Sequence, residues 1–356
     1  MAQQITSLLD DPTQAVSLDT FSGLTKGCPA PFWLFQGVCA AWDIDHQRAQ
    51  LNLITVSENA TFLLLLDGEP QGVVRVSQPG YVGGPEAVAS EISWLNALHD
   101  IEGISLINPV PTIRGTFVTK ITDLNGVGWT VISTKYVEGT VLEDLENPAP
   151  YYETIGEWAA KFHEQSRTWS KPYGFTRFNW DLSNMVGPAP RWGRWENANL
   201  TDEEKQLCDT ALWKAMDVVM KVPRTNETWG LIHADLRPSN VIRGNDGRLT
   251  VIDFDDAGYS WYLYDYASSL SFIEHEPYAP DLAKAWVKGY QRVAGSFTDE
   301  ELRIMSALSM IRRMQMLGWT TSHREDALPD GLAAQQAPGS VMCAKNYLED
   351  PLWLLH

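Results

Sequence analysis

The chain has 356 residues, with 27 Lys and Arg against 45 Asp and Glu, for a formal net charge of −18 at pH 7. That length exceeds one ordinary core and suits two packed lobes, while 44% hydrophobic residues and 15 tryptophans exclude a disordered chain. So negative a surface excludes a nucleic acid or an anionic membrane as partner, since neither would be steered toward it, and favours a cationic or neutral ligand.

The leading MAQQITSLLDDPTQ has neither the basic start nor the apolar centre of a signal peptide, and no uncharged run approaches ~18 apolar residues, so the expected location is the cytoplasm. Cys28, Cys39, Cys208 and Cys343 lack metal-ligand spacing and read as reduced thiols. From Phe35 to Val76 short apolar runs such as LNLITV and TFLLLL, separated by the polar turns SENA and DGEPQG, predict an antiparallel sheet. Pro85 to Leu98 carries Val88, Ile92, Leu95 and Leu98 at helical spacing, and FVTKITDLNGVGWTVISTKYV predicts a hairpin turning at Asn125-Gly126. Residues 1–138 thus form an N-terminal lobe and 139–356 a larger, mainly helical one.

The second lobe opens with a helix over Tyr151 to Ser166, whose face is Ile155, Trp158, Ala159 and Phe162. Trp169 to Trp195, rich in Pro, Gly, Arg and Trp, reads as an ordered loop excursion whose place suggests a substrate rim. Thr201 to Met220 is helical. The strands NVIR and LTVIDF then flank the turn at Gly244 to Gly247. Beyond Asp265 the pattern is helical, with DGLAAQQAPGS read as a short loop and the Met and Leu of LSMIRRMQMLGWTTSH as core.

Two polar clusters bracket the strands: HADLRPSN from His233 to Asn240, and IDFDD from Ile252 to Asp256. Phosphoryl transfer asks little covalent help of a protein; it needs a base near the attacking hydroxyl, positioned metal ions and charge compensation along the phosphates. Asp235, between a strand and a short loop, suits the base. Asn240 offers an amide oxygen and Asp253 a carboxylate, the donors Mg2+ prefers beside phosphate oxygens, and the hairpin between them brings the two side by side. The bland alternative is an Asx-rich turn in which Asp235 and Asn240 cap backbone and Asp253 to Asp256 form a solvated corner.

LIHADLRPSNVI, VIDFDDAG and YDYASSL together resemble the catalytic core of the aminoglycoside phosphotransferase and choline kinase-like group, which also includes type II homoserine kinases and stress-response kinases. The resemblance implies an α+β, bilobal protein-kinase-like fold, an N-terminal antiparallel sheet lobe plus a larger helical lobe. It implies ATP and Mg2+ as cofactors, Asp235 as catalytic base, Asn240 and Asp253 as metal ligands, and a structural role for His233. Asp265 matches an aspartate that ties the following helix to the catalytic loop, or is a simple N-cap. In the N-terminal lobe SENATFLLLL resembles the group's nucleotide-binding turn, with Asn59, Thr61 and Phe62 over the phosphates. Arg75 stands where protein kinases place a lysine, and its two donors suit phosphate. Glu91 is its expected partner, with Glu86 the other candidate. Lys135, Tyr136 and Val137 would form the hinge that meets adenine.

Arg237 follows the base by two residues and is expected either to stabilise the transferring phosphoryl group or to pair with a neighbour such as Asp255. Asp255, Asp256, Trp192, Trp261 and Tyr262, with Trp180, Trp195 and Asp181, are candidates for an acidic, aromatic pocket holding an amine-bearing alcohol; loop tryptophans equally often pack a loop onto its lobe. The expected activity is phosphorylation of a small-molecule hydroxyl acceptor. A protein serine/threonine kinase and a silent nucleotide-binding scaffold are the alternatives, the latter disfavoured by the intact Asp235, Asn240 and Asp253.

Overall fold

The structure, a computed structural model, describes Phe21 and residues 23–80, 83–322 and 331–356. The leading segment, Tyr81 and Val82 of the glycine-rich turn, and Asp330 lie outside the described residues. Chain contacts divide the protein into two units. One comprises residues 1–97, 106–138 and 172–177; the other comprises 98–105, 139–171 and 178–356. The segment Pro172 to Arg177, which the sequence pattern places in the second lobe, therefore belongs to the first unit.

In the N-terminal unit, helix α1 (Phe32–Trp42) precedes strands β1 (Ala49–Val56), β2 (Asn59–Leu66) and β3 (Glu69–Ser77), then helix α2 (Pro85–Leu98) and strands β4 (Val118–Thr122) and β5 (Gly128–Lys135). The five strands form one antiparallel sheet in the order β1-β2-β3-β5-β4. Alternation along β3 buries Val74 and Val76 completely and leaves Arg75 between them on the other face. The helix α1 corrects the strand-like reading of Phe35 to Trp42. FWLFQGVCAAW is apolar on every side, so its period cannot distinguish helix from strand, and Leu34 and Val38 bury it on the sheet core. The β4-β5 hairpin turns where expected. Asp123 organises it, accepting from the amides of Asn125 (2.8 Å) and Val127 (2.9 Å) and from the Trp129 indole (3.1 Å).

In the C-terminal unit the short strand β6 (Thr140–Val141) leads to helix α3 (Tyr152–Thr168), the one-turn helix α4 (Leu182–Val186) and helix α5 (Asp202–Val219). Thr201 and Glu204 close a reciprocal capping box at the start of α5. Strands β7 (Trp229–Ile232), β8 (Val241–Arg243), β9 (Leu249–Val251) and β10 (Gly258–Trp261) follow, and β10 pairs antiparallel with β7 while β9 and β6 flank β8. The chain ends in helices α6 (Tyr264–Ser269), α7 (Ala279–Ala294), α8 (Asp299–Ser322) and α9 (Leu332–Glu349). Helices α3 and α7 approach closely because Gly156 and Gly289 face each other's backbones; a Cβ on either would strike a carbonyl of the opposite helix.

Helix α8 is buried on every side from Ile304 to Gly318, as expected of a central helix. Its two consecutive arginines, Arg312 and Arg313, are therefore also buried, and each must be fully paired. Arg313 meets Glu274 (2.7 Å), Ser340 Oγ (2.9 Å) and the carbonyls of Phe272 (3.3 Å) and Gln336 (3.1 Å). Ser340 and Gln336 lie on α9, which corrects the loop reading of DGLAAQQAPGS. Pro338 and Gly339 weaken the helix locally, but packing of Val341, Cys343, Ala344 and Tyr347 overrides that preference. All four cysteines are free thiols, and burial pushes Cys208 up to about 11 and Cys343 up to about 12. Among the described residues no helix is long and apolar enough to cross a membrane.

Removing one partner of the buried Arg313–Glu274 pair strands a charge. Glu274→Ala is expected to lower unfolding free energy by ~3–5 kcal/mol; a loss below about 1 kcal/mol in chemical denaturation would show that the pair is dispensable.

Candidate active site

The β7 strand ends at Ile232, and the chain turns at once into the loop that carries His233, Ala234 and Asp235. Ala234 holds φ +65°, a left-handed conformation that disfavours a residue with a Cβ. One buried carboxylate holds this turn. Asp265 accepts from the amides of Ala234 (2.7 Å) and His233 (3.2 Å), and its Oδ2 also meets His163 Nε2 at 2.9 Å. Helix α6 has no side-chain cap, so the sequence alternative of an N-cap is corrected: Asp265 ties the helix to the loop. His233 is fully buried, its Nδ1 accepts from the Asp235 amide (3.3 Å) and its ring lies on Phe254 at 4.6 Å.

Beyond the loop, β8 and β9 pair with Val241 opposite Val251, and the Ile252 amide donates to the Asn240 carbonyl at 2.9 Å. Asn240 is thus opposite Ile252, with Asp253 its diagonal neighbour. Asn240 Nδ2 donates to Asp235 Oδ2 (2.7 Å) and to the Asp235 carbonyl (2.9 Å). An amide oxygen facing that carboxylate would be repelled, so the amide oxygen is the end left for a cation. Asp253 has φ +59° and its Oδ1 accepts from the Asp255 amide at 3.4 Å. Two hard oxygen donors from neighbouring strands suit a divalent cation whose other ligands are phosphate and water. Among the described residues no group of three or more His, Cys, Asp or Glu forms a closed protein cage.

Arg237 bridges Glu143 (3.0 Å) and the Asp235 carboxylate (3.5 Å), so its partner is not Asp255. The sequence reading missed Arg312. Its Nη2 donates to Asp235 Oδ1 at 2.8 Å, its Nη1 to Tyr264 Oη at 2.8 Å and its Nε to Ser271 Oγ at 2.8 Å. Burial opposes the charge on Arg312, yet the nearby Tyr264, Asp235 and Asp256 outweigh it and raise its pKa. Burial likewise pushes Tyr264 up to about 12, against the pull of Arg312. Of the five non-glycine residues with positive φ among the described residues, three (Ala234, Asp253 and Phe272) border this cluster, Phe272 lying under Arg237 at 5.3 Å. Such strain is typical of sites whose geometry is over-determined by surrounding contacts.

The aromatic acceptor pocket fares differently. Four of its five rings are already engaged by an arginine of the chain: Trp192 by Arg312 (5.3 Å), Trp180 by Arg191 (5.6 Å), Trp261 by Arg224 (5.3 Å) and Tyr262 by Arg167 (4.4 Å). Trp261 and Tyr262 are also misplaced. Gly258 pairs with Ile232 at the catalytic end of the β7-β10 ladder, whereas Trp261 pairs with Trp229 at the far end. There Trp261 and Tyr262 line a separate cavity of about 410 Å3. Trp180 and Trp195 are buried, so they pack the loop onto its unit, and Asp181 caps α4 and pairs with Arg224 at 3.2 Å. Asp255 and Asp256 remain beside the metal-ligand candidate; the Asp256 carbonyl accepts from the Trp180 indole at 2.7 Å.

In the N-terminal unit Arg75 Nη2 meets Glu91 Oε2 at 2.7 Å, and Glu86 is not its partner. Glu91 is 2% exposed and carries a second guanidinium, Arg177, at 3.7 Å. Arg177 also donates to the Ala87 carbonyl at 3.1 Å. No periodic signal marked it. The two-residue turn Ser57-Glu58 closes β1 on β2, and Thr61 pairs with Arg75 across the ladder. Phe62 corrects the phosphate assignment: it is fully buried in the sheet core with Phe21 and Val74, while Asn59 begins β2. In the hinge candidate the Lys135 amide is spent on the Asn108 carbonyl (2.8 Å) and that of Tyr136 on Gln71 (3.1 Å). The Val137 amide donates to none of the described residues.

A five-stranded antiparallel sheet, a helical unit, and a candidate catalytic loop holding Asp235 and Asn240, followed by a hairpin that ends at Asp253, fit a phosphotransferase of protein-kinase-like fold. The chain belongs to the phosphotransferase enzyme family, whose family model matches residues 54–303. It is 23% identical over 245 residues to the amicoumacin kinase of Bacillus subtilis (strain 168), covering 68% of each chain. Among solved structures, the microcompartment-associated aminopropanol kinase matches with TM-score 0.79 at 29% identity, covering 91% of this chain and 99% of that one. An amicoumacin kinase in complex with AMP-PNP, Ca2+ and Ami shares the fold at TM-score 0.67 and 16% identity, over 97% of this chain and 96% of that one.

His163 tests the support of the loop. Burial is the main influence on its pKa and lowers it, against the raising effect of Asp265. The unfolded chain therefore takes up the proton first, and stability present above about pH 6.5 is lost as pH falls toward the folded value. The melting temperature is expected to drop between about pH 7 and pH 5, and His163→Gln to flatten that drop; equal slopes for the two proteins would refute it.

Proposed function

We propose that the protein transfers the γ-phosphoryl group of ATP to the hydroxyl of a small amine-bearing molecule, an amino alcohol first among them. The observation that carries this reading is the arrangement around Asp235, whose carboxylate is held by Asn240 at 2.7 Å on the loop that leads directly to Asp253. In the reaction the acceptor hydroxyl attacks phosphorus, Asp235 receives its proton, and ADP leaves with the bridging oxygen. Asn240 and Asp253 would hold Mg2+, which when bound neutralises charge on the phosphate oxygens. Arg75, kept in place by Glu91, is assigned to the phosphates, and the Val137 amide to adenine.

Two facts support an amine. The aminopropanol kinase relative is 29% identical over nearly its full length. The chain's net charge of −18 and the carboxylates Asp255 and Asp256 beside Asp253 favour a cation. With the aromatic faces taken by arginines, recognition falls to carboxylates, which suit an ammonium able to donate hydrogen bonds.

A coupled ADP-release screen with ATP and Mg2+ tests the reading against 1-amino-2-propanol, ethanolamine, homoserine, choline, aminoglycosides, sugars and peptides. Turnover well above background ATPase with an amino alcohol is expected; stimulation by peptides alone would replace the small-molecule reading with a protein kinase. Asn is well tolerated at the left-handed φ of Asp253. Asp253→Asn is therefore expected to keep the fold and lose ~10²–10³-fold in Mg2+-dependent kcat, and wild-type turnover in that variant would sink the metal assignment.

A further inference from the structure

Buried arginines are costly unless paired, and an apolar residue of similar size commonly serves stability as well or better. Arg313 has a dedicated carboxylate in Glu274, buried beside it. Its neighbour Arg312 does not. Its side chain is 1% exposed, and among the described residues its only ion-pair carboxylate is Asp235, itself 19% exposed. Its Nε donates to Ser271 and its Nη1 to Tyr264, and Tyr264 in turn donates to Gln315 Oε1, one turn along α8. The guanidinium is therefore fixed in position by groups that take no part in the proposed chemistry, and it presents one N–H to the proposed base.

Asp235 is consequently held from two directions. Helix α8 grips Oδ1 through Arg312 at 2.8 Å, while Asn240 grips Oδ2 at 2.7 Å, with Arg237 near the same oxygen at 3.5 Å. Rotating the carboxylate about its Cβ–Cγ bond would break both grips. Its remaining lone pairs then point in directions set by the protein before any acceptor arrives.

We propose that Arg312 is a positioning residue for the phosphoryl transfer, fixing the Asp235 carboxylate through Oδ1 so that its remaining lone pairs meet the acceptor hydroxyl. This deepens the reading of Asp235 as the base and rests on it. Arg312 touches neither nucleotide nor metal ligand in this role, and its effect runs through Asp235.

The test is a double-mutant cycle of Arg312→Met and Asp235→Asn, read by phosphorylated product from radiolabelled ATP with the best amino alcohol of the wild-type enzyme. Arg312→Met is expected to lose ~10²-fold in kcat, with the KM for ATP and the ATP-induced thermal shift within about twofold of wild type. In the Asp235→Asn background the same substitution should change the residual rate by less than about threefold, because the group through which it acts is gone. Arg312→Lys, which keeps the charge but cannot span all three partners, should recover only part of the loss. Wild-type kcat in Arg312→Met, or an equal loss in the Asp235→Asn background, would overturn the proposal. If Arg312→Met shows no cooperative melt, Tyr264→Phe takes its place. Removal of that one anchor should lower kcat several-fold, again only while Asp235 is present, and an unchanged kcat overturns the proposal. Failure of the wild-type enzyme to phosphorylate any acceptor would instead strike the functional reading itself.

Discussion

The loop that carries Asp235 depends on Asp265. A left-handed Ala234 costs about 1–2 kcal/mol, and the two amides around it would be orphaned in a buried site without an acceptor. The Asp265 carboxylate accepts both. It is itself fully buried, and His163 satisfies it further as a neutral imidazole that donates from Nε2 and accepts at Nδ1 from Tyr290. In this way β7, α3, α6 and α7 converge on one backbone turn, and the position of Asp235 follows from that buried turn.

Buried charge follows a different logic on α8. Arg313 and Glu274 neutralise each other and fasten α9. Arg312, one residue away, spends its charge on the loop. Consecutive positions on a helix point about 100° apart, so two arginines side by side in sequence serve two different interfaces. Their burial means that each charge must keep its partners once the helix has packed.

Much of the fold was legible because its signals are local. The antiparallel strands, α2 and the β8-β9 hairpin follow from alternation, helical spacing and glycine turns, and HADLRPSN with IDFDD bracket that hairpin as the pattern suggested. What was not legible depends on distant packing. Residues 32–42 are apolar on all sides, and only the sheet beneath decides that they coil. Pro338 and Gly339 argue for a loop that tertiary contacts overrule. Arg312 sits among Met and Leu, where sequence shows a core helix; a cation inside such a run was the available hint, since a buried guanidinium demands a partner. Trp261 and Tyr262 follow the acidic cluster closely in sequence, yet antiparallel pairing carries them to the far end of the ladder. The tryptophans of the excursion suggested a cage for a cation, but Arg191 of the same stretch lies over Trp180 and Arg312 of α8 over Trp192.

The placement of Arg177 bears on how the protein is made. Glu91 lies on α2 and is buried with Arg75 and Arg177 against it, but Arg177 arrives 86 residues later in the chain, after α3 has been synthesised. A chain emerging from the ribosome thus holds a complete five-stranded sheet well before it holds the second cation for that carboxylate. The last step in maturing the N-terminal unit is a long-range closure, of the slow kind that topology imposes on folding. Arg75 reaches its final electrostatic setting only after the segment beyond α3 has been made.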